Sequence, residues 1–177
     1  MLLNNILYAI KLLTEKKIRF GKTFIQKVLY LALPKVERDL YYIPYYYGPY
    51  SENIQLLLRS LEFSNYITYN YKSQNYSLQR DIDVKQEDTT KQRIKGVIDF
   101  LVNNHIKSTN KISNLAKVFM ILDANDSLNN GHKVENLIEL IKKRANFVGW
   151  IELSKLDKEN IEDLIKLSKN LAKTLPN

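Results

Sequence analysis

Few residues of this chain have the types and spacing that catalysis requires. The sequence contains 2 histidines, His105 and His132, and no cysteine. The histidines stand at no characteristic spacing from each other or from a pair of carboxylates, and HExxH, GxSxG, Walker and GxGxxG segments do not occur. Without cysteine, disulfides, thiolate zinc sites and cysteine nucleophiles are excluded. We therefore expect that the protein is not an enzyme and uses neither a cofactor nor a metal ion.

Two carboxylate pairs fall in a polar, acidic segment at 81–90. These pairs are Asp81/Asp83 and Glu87/Asp88. Carboxylate oxygens bind divalent cations, but a polar segment without apolar periodicity is typical of a loop. We interpret 81–90 as a solvated linker or as the lead-in to a helix.

Tyrosine is the residue type that stands out for binding. All 12 tyrosines lie between Tyr8 and Tyr76. A tyrosine ring combines apolar area with a hydroxyl, so it either stacks on bases or contributes to a protein-binding surface. Strands are rich in aromatic residues for packing reasons, so we expect most of these rings to be structural. Because side chains alternate along a strand, some of Tyr45, Tyr46 and Tyr47 must lie outside, and these three are the candidate partner-binding residues.

Positive charge is concentrated in the same half of the chain. Residues 1–80 carry 11 Lys/Arg against 5 Asp/Glu, a net +6 of the total +8. A basic surface favours polyanionic partners. No apolar run reaches the roughly 18 residues that a membrane span needs, and the apolar start lacks the features of a signal peptide. We expect a cytoplasmic protein that does not enter the membrane.

Hydrophobic spacing predicts the elements that position these residues. For the first half we predict helices at 2–17, 23–33 and 51–63 and strands at 40–47, 66–71 and 75–79, with Thr23 capping the second helix and a turn at Gly48-Pro49. This order is typical of a winged helix, with 51–63 as the recognition helix and 66–79 as the wing. We expect a mainly α fold with a small antiparallel sheet.

The predicted recognition helix carries residue types that read base edges. Asn, Gln and Arg form bidentate hydrogen bonds with bases, and lysines contact phosphates. The candidate DNA-binding residues are Lys22, Lys27, Asn53, Gln55, Arg59 and Lys72. Glu52 and Glu62 would repel phosphates, and a solvated helix face is an equally consistent interpretation.

The second half of the chain is predicted to be helical throughout. We predict helices at 91–103, 113–122, 134–145 and 157–171, with a loop at 124–133. This divides the chain into a winged-helix-like unit at 1–80 and a helical unit at 81–177. The second unit either packs on the first or mediates formation of a homodimer.

Two segments resemble a known family. The segment at 21–32, GKTFIQKVLYLA, resembles the G-(R/K)-T-x-(L/I)-Q-K helix of YwgA-like and Panacea (SocA-like) proteins, and 47–54, YGPYSENI, resembles their Y-G-P-(Y/V)-S turn. Tyr50 places the chain closer to the YwgA-like branch. The resemblance implies a winged-helix-like module of prokaryotic or phage origin, and antitoxin activity in Panacea-type members. In physical terms, we expect Ser51 to cap a helix and Gln26 to hydrogen-bond the turn, which makes an architectural role for the motif an alternative.

Two functions follow from these patterns. The first is a winged-helix transcriptional regulator that binds double-stranded DNA. The alternative is a protein-interaction module of the antitoxin type, which neutralises a partner protein such as a toxin through its tyrosines.

Overall fold

The computed structural model describes residues 2–81 and 88–176, and these are mainly helical with two small antiparallel strand pairs. The first half contains α1 (Leu2–Glu15), α2 (Lys22–Ala32), α3 (Lys35–Tyr41), β1 (Ile43–Tyr45), β2 (Gly48–Tyr50), α4 (Glu52–Phe63), β3 (Ile67–Asn70) and β4 (Asn75–Leu78). The second half contains α5 (Thr89–Asn103), α6 (Thr109–Ala124), α7 (Val134–Phe147), α8 (Ile151–Ser154) and α9 (Lys158–Thr174). The predicted fold class, mainly α with a small antiparallel β component, is confirmed.

Helix α2 lies at the centre of the molecule. Every residue from Phe24 to Ala32 is buried, and the helix contacts α1, α5 and α6. A helix that is buried on all sides carries apolar residues all round, which this sequence does except at Gln26 and Lys27. Buried polar side chains need hydrogen-bond partners, so these two residues mark where α2 meets polar backbone.

The segment 40–50 differs from the prediction. Instead of one strand at 40–47, α3 extends to Tyr41 and β1 follows, and Gly48-Pro49 lies in β2 rather than in a turn. Tyr46 and Tyr47 form the turn, and Gly48 then adopts a φ of +101°, which favours glycine. The result is a short hairpin, β1–β2, with Ile43 opposite Tyr50.

The second hairpin, β3–β4, matches the predicted strands and pairs Ile67 with Leu78. Its turn packs against the connection between α1 and α2, where a Cβ on Gly21 would lie only 2.2 Å from the Gln74 carbonyl oxygen. Gly21 also precedes α2 as its N-cap without a side-chain hydrogen bond, so the predicted capping role of Thr23 is wrong. The absence of a side chain at Gly21 therefore permits close contact between α2 and this hairpin.

The four predicted helices of the second half begin and end close to the predicted positions. The short helix α8 is not among those predicted. Asp88 caps α5, because its Oδ1 accepts a hydrogen bond from the Lys91 backbone at 2.9 Å, so this end of 81–90 leads into a helix. Residues 82–87, with Asp83 and Glu87, lie outside the described residues. Helices α5 and α6 pack on α1 and α2, and the buried apolar residues form one cluster. The predicted unit boundary at 80/81 and the winged-helix arrangement stay predictions.

Crossing a bilayer demands a long and strongly apolar helix. None of the helices within residues 2–81 and 88–176 meets that requirement.

Candidate site at the first hairpin

Gln26 fixes the junction between β2 and α4. Its Nε2 donates a hydrogen bond to the Ser51 carbonyl at 2.8 Å, and its Oε1 accepts one from the Ser51 backbone N–H at 3.0 Å. Ser51 is the N-cap of α4, with its Oγ accepting from Ile54 N at 3.5 Å, so its predicted capping role is confirmed. The hydrogen bonds of Gln26 therefore fall on Ser51, two residues after Pro49, and not on the Tyr-Gly-Pro segment itself.

Two buried lysines lie beneath the hairpin. Lys27 is 2% exposed and donates a hydrogen bond to the Pro49 carbonyl at 2.8 Å. Lys117 of α6 is 6% exposed, and its Nζ lies 5.6 Å from the centre of the Trp150 ring. Both stems approach Gly48, where an added Cβ would lie 3.1 Å from Lys117 Cγ and 3.5 Å from Lys27 Cε. Gly48 thus provides space for both lysines.

Neither lysine forms an ion pair with a described carboxylate. Burial, with a smaller contribution from the charge of Lys117, lowers the pKa of Lys27 to about 7. Burial also lowers the pKa of Lys117, against an opposing effect of Glu152. One turn before Lys117, the Ser113 Oγ is buried and has no hydrogen-bond partner among the residues that the structure describes. The underside of the hairpin is therefore polar, positively charged and incompletely satisfied.

Trp150 holds the other strand. Its indole Nε1 donates a hydrogen bond to the Tyr45 carbonyl at 2.7 Å, which connects β1 to the start of α8. The hairpin is therefore fixed on both strands, β1 by Trp150 and β2 by Gln26 and Lys27.

Five consecutive side chains in β1 and the turn of the same hairpin are exposed. Tyr45, Tyr46 and Tyr47 are 58%, 77% and 58% exposed, so the expectation that some of them lie outside is confirmed. Ile43 and Pro44 are exposed as well. We call these five side chains the hairpin surface. By contrast, Tyr42, which directly precedes β1, is buried, and its hydroxyl donates to the Gln26 carbonyl at 3.2 Å.

An apolar depression of about 230 Å³ adjoins the hairpin surface through Pro44. It is lined by Pro44, Met120, Ile121, Ala124, Asn125, Arg144, Val148 and Trp150. Nearby in sequence, Phe147 and Ile151 are exposed at the α7–α8 connection. Exposed apolar area therefore continues from the hairpin onto the second half of the chain.

A smaller pocket of about 170 Å³ lies between α2, the hairpin and α4. Its lining residues, which define what we call the hairpin pocket, are Lys22, Thr23, Gln26, Lys27, Tyr45, Tyr47, Tyr50 and Gln55. The pocket is thus lined by three predicted DNA-binding residues and two predicted partner-binding residues. The former are Lys22, Lys27 and Gln55, and the latter are Tyr45 and Tyr47. None of the lining residues is a carboxylate.

The predicted DNA-binding residues do not form one basic face. Lys27 is turned inward onto Pro49, so the prediction that it contacts phosphate is wrong. Lys22 is half-buried, with its Nζ 3.8 Å from Glu62 Oε1 and 4.4 Å from the centre of the Tyr69 ring. Asn53 and Arg59 are exposed on α4, Gln55 is half-buried, and Lys72 is exposed in the β3–β4 turn. The same helix also exposes Leu56 and Phe63, at 51% and 91%.

No local motif marks Lys117 or Trp150 as part of the site. The signal available for Lys117 is a lysine inside an apolar helical run, the same signal that Lys27 gives in α2. Trp150 lies at the end of a turn, and its connection to Tyr45 depends on the tertiary fold.

Elsewhere in the described parts of the chain, no three His, Asp or Glu side chains are placed to share a metal ion. Comparison with known proteins gives no relative: no protein-family model matches the chain, and no curated protein is significantly similar to it in sequence. The resemblance of 21–32 and 47–54 to YwgA-like and Panacea-type proteins stays a prediction.

Proposed function

We propose that the chain is a protein-binding module whose hairpin surface contacts a partner protein. The observation that carries this proposal is the exposure of Tyr45, Tyr46 and Tyr47 on a hairpin that is fixed from beneath. Tyrosine is enriched at protein interfaces, and contiguous exposed apolar area on a protein marks an interaction site.

The support beneath the hairpin favours tight binding. Gln26 and Lys27 hold β2 and its junction with α4 through buried hydrogen bonds, and Trp150 holds β1 through a partly buried one. A surface held in its bound shape loses little conformational entropy when the partner docks. The rings are therefore presented by a rigid element, as an interface anchor requires.

The charge of the chain indicates the chemistry of the partner. The net charge is +8, and cations lie beside the hairpin surface, with Lys22 in the hairpin pocket and the exposed Arg144 in the apolar depression. Complementary charge steers association and suppresses wrong partners. We infer an acidic protein as partner, and neutralisation of a toxin in the manner of an antitoxin is one function of this kind.

Site-specific photocrosslinking tests the proposal in the organism that encodes the chain. A photoreactive phenylalanine analogue replaces Tyr46 or, as a matched control, Tyr71, which is 78% exposed on the other hairpin. We expect a discrete, protease-sensitive adduct at position 46 and none at 71. Absence of an adduct at 46, or the same adduct at both positions, would contradict the proposal.

DNA binding is the second candidate function. Arg59 on α4 and Lys72 in the β3–β4 turn are exposed and form no ion pair with any described residue, so both are available to phosphates. Placing the photoreactive analogue at position 59 distinguishes the candidates. A nuclease-sensitive adduct there, with none at 46, would favour DNA over a protein partner.

A further inference from the structure

The apolar depression beside the hairpin surface has one wall that is fixed in position. Trp150 lines it, and its indole Nε1 donates to the Tyr45 carbonyl at 2.7 Å. The centre of the same ring lies 5.6 Å from Lys117 Nζ. Because this wall is already ordered, a side chain that enters the depression costs it little conformational entropy.

Exposed apolar side chains continue outward from the depression. Phe147 is 84% exposed at the end of α7, and Val148 and Ile151 are exposed at the connection to α8. Pro44 belongs both to the depression and to the hairpin surface, so the two areas are continuous. Contiguous exposed apolar area marks an interaction site, and the anchor side chains of a partner fill pockets within such an area.

The size of the depression suits one large side chain. Its volume of about 230 Å³ is below the roughly 300 Å³ at which pockets for drug-sized ligands begin. Met120 is among the lining residues, and the unbranched side chain of methionine adapts to the shape of the group that it contacts. The depression therefore suits a leucine, methionine or phenylalanine side chain of a partner rather than a whole small-molecule ligand.

One cation stands at the depression without a carboxylate partner. Arg144 lines it from the last turn of α7, is exposed, and forms no ion pair with the carboxylates of the described residues. No Asp or Glu is among the lining residues, and Asn125 donates Nδ2 to its own helix, at the Ile121 carbonyl. Since a guanidinium binds a carboxylate through two parallel hydrogen bonds, Arg144 suits an acidic residue placed beside the apolar anchor.

We propose that the apolar depression is an anchor pocket for a partner protein, which inserts one large apolar side chain and places an adjacent Asp or Glu on Arg144. The acidic residue follows from charge complementarity with Arg144 and with a chain of net charge +8. The identity of this partner with the protein that covers the hairpin surface rests on the proposed function. The pocket and its preference depend only on the depression and Arg144.

A blocked Asp-Phe-Asp tripeptide is the probe, added to the isolated full-length chain at constant ionic strength. Trp150 is the single tryptophan of the sequence, so its indole N–H gives one NMR resonance, which reports the depression. We expect a saturable shift with Asp-Phe-Asp, about fivefold weaker binding of Asn-Phe-Asn, and no saturable shift with Asp-Ser-Asp. The first comparison removes the charge and the second removes the apolar anchor.

Variants of the chain separate the two contacts. Arg144→Glu should weaken Asp-Phe-Asp binding about fivefold, whereas Lys143→Glu, the same change of charge at the exposed residue before it, should weaken it less than about twofold. Ala124→Phe, at the exposed end of α6, places a ring in the depression and should abolish the saturable shift, and Gln92→Phe on α5 should not. These positions are exposed, so the variants keep the core intact.

Three outcomes would overturn the proposal. Equal shifts with Asp-Phe-Asp and Asp-Ser-Asp, or none with either, would show that the depression takes no apolar anchor. Equal losses in Arg144→Glu and Lys143→Glu would mean that general charge attraction, and not a contact with Arg144, selects the acidic residue. An indole shift that depends on the concentration of the chain alone, with a dimer in sedimentation, would assign the depression to a second copy.

The proposed function and this inference fail separately. A crosslink at position 46 without peptide binding keeps the hairpin surface as an interface and removes the anchor pocket. Peptide binding without a crosslink at 46 keeps the pocket, but the hairpin surface is then not where the partner docks. Where both hold, Ala124→Phe should lower the yield of the adduct at position 46 and Gln92→Phe should not.

Discussion

At the scale of single residues, the Gln26 side chain forms backbone hydrogen bonds of the kind that a neighbouring strand would form. Its amide group satisfies both the N–H and the carbonyl of Ser51, 25 positions away, in the manner of a neighbouring strand. These backbone groups are buried with Ser51, which is 1% exposed. Loss of Gln26 would leave the Ser51 N–H with its full desolvation penalty rather than the modest net value of one hydrogen bond, whereas the carbonyl also accepts from Gln55 N at 3.2 Å.

Gln26→Leu tests this role because leucine keeps the volume of the side chain and removes both hydrogen bonds. We expect the free energy of unfolding to fall by about 1–3 kcal/mol, because the buried Ser51 N–H loses its partner, whereas the Ser51 carbonyl keeps the hydrogen bond from Gln55 N at 3.2 Å. Urea denaturation followed by circular dichroism measures it. Gln92→Leu, at an exposed position on α5, should change stability by less than about 0.5 kcal/mol. Equal losses in the two variants would show that Gln26 is not a structural clamp.

At the scale of elements, α3 depends on a contact with α6. Arg38 donates to Asp123 Oδ2 at 2.8 Å and to the Leu33 carbonyl at 2.5 Å, and its guanidinium lies over the Phe119 ring. Arg38 is 5% exposed, so this is a buried ion pair. A short helix of seven residues gains little from local hydrogen bonds, and the ion pair fixes it to the core.

Asp123→Ala should therefore lower the free energy of unfolding far more than the loss of an exposed ion pair in the same region does. Removing one partner of a buried pair leaves an uncompensated charge and costs about 3–5 kcal/mol. The matched control is Asp126→Asn, which removes the charge of the exposed pair with Lys35, tolerates the φ of 50° at this position and should cost less than about 1 kcal/mol. Thermal and urea unfolding of both variants measure the difference. Similar costs would mean that Arg38 finds another partner when Asp123 is absent.

The ion pair between Arg38 and Asp123 shows why some elements can be predicted from sequence patterns and others cannot. Helices α1, α2 and α4 follow from apolar residues at helical spacing, and β3–β4 follows from alternating residues around a polar turn. Around Tyr41 and Tyr42, aromatic residues favour a strand locally. Helix α3 forms there because Arg38 pairs with Asp123, which lies 85 positions away in sequence and close in space. The same distinction applies to the candidate site. Gln26 and Ser51 belong to short sequence motifs, whereas Lys117 and Trp150 lie near the hairpin only because of the tertiary fold.

At the scale of the whole molecule, the buried lysines connect stability to pH. The ordinary pKa of a lysine is 10.5, and that of Lys27 in the folded chain is about 7. Between these values the unfolded chain keeps a proton that the folded chain has lost. The unfolded state then binds more protons, so stability rises with pH across this window. Lys117, whose pKa is also lowered by burial, acts in the same direction.

Lys27→Met should remove this dependence. We expect the wild type to gain stability relative to Lys27→Met as pH rises from about 7 towards 10, by at most about 1.4 kcal/mol per pH unit. Below about pH 7 the wild type carries the full cost of the buried charge, so the variant is then at its greatest advantage. Urea unfolding at pH 7, 8 and 9 measures the effect, with Lys72→Met as the exposed control. A difference between wild type and Lys27→Met that does not vary with pH would contradict it.

The bond between Trp150 and Tyr45 also sets an order of events during synthesis. The two residues are 105 positions apart, so a ribosome that adds about 5–20 residues per second exposes the tyrosines for roughly 5–20 s before the indole leaves the tunnel. Over that interval the β1 carbonyl hydrogen-bonds water and the rings lack their support. The partner that we propose, if it is shaped to the finished hairpin, would therefore distinguish chains whose Trp150 has left the ribosome from chains whose Trp150 has not.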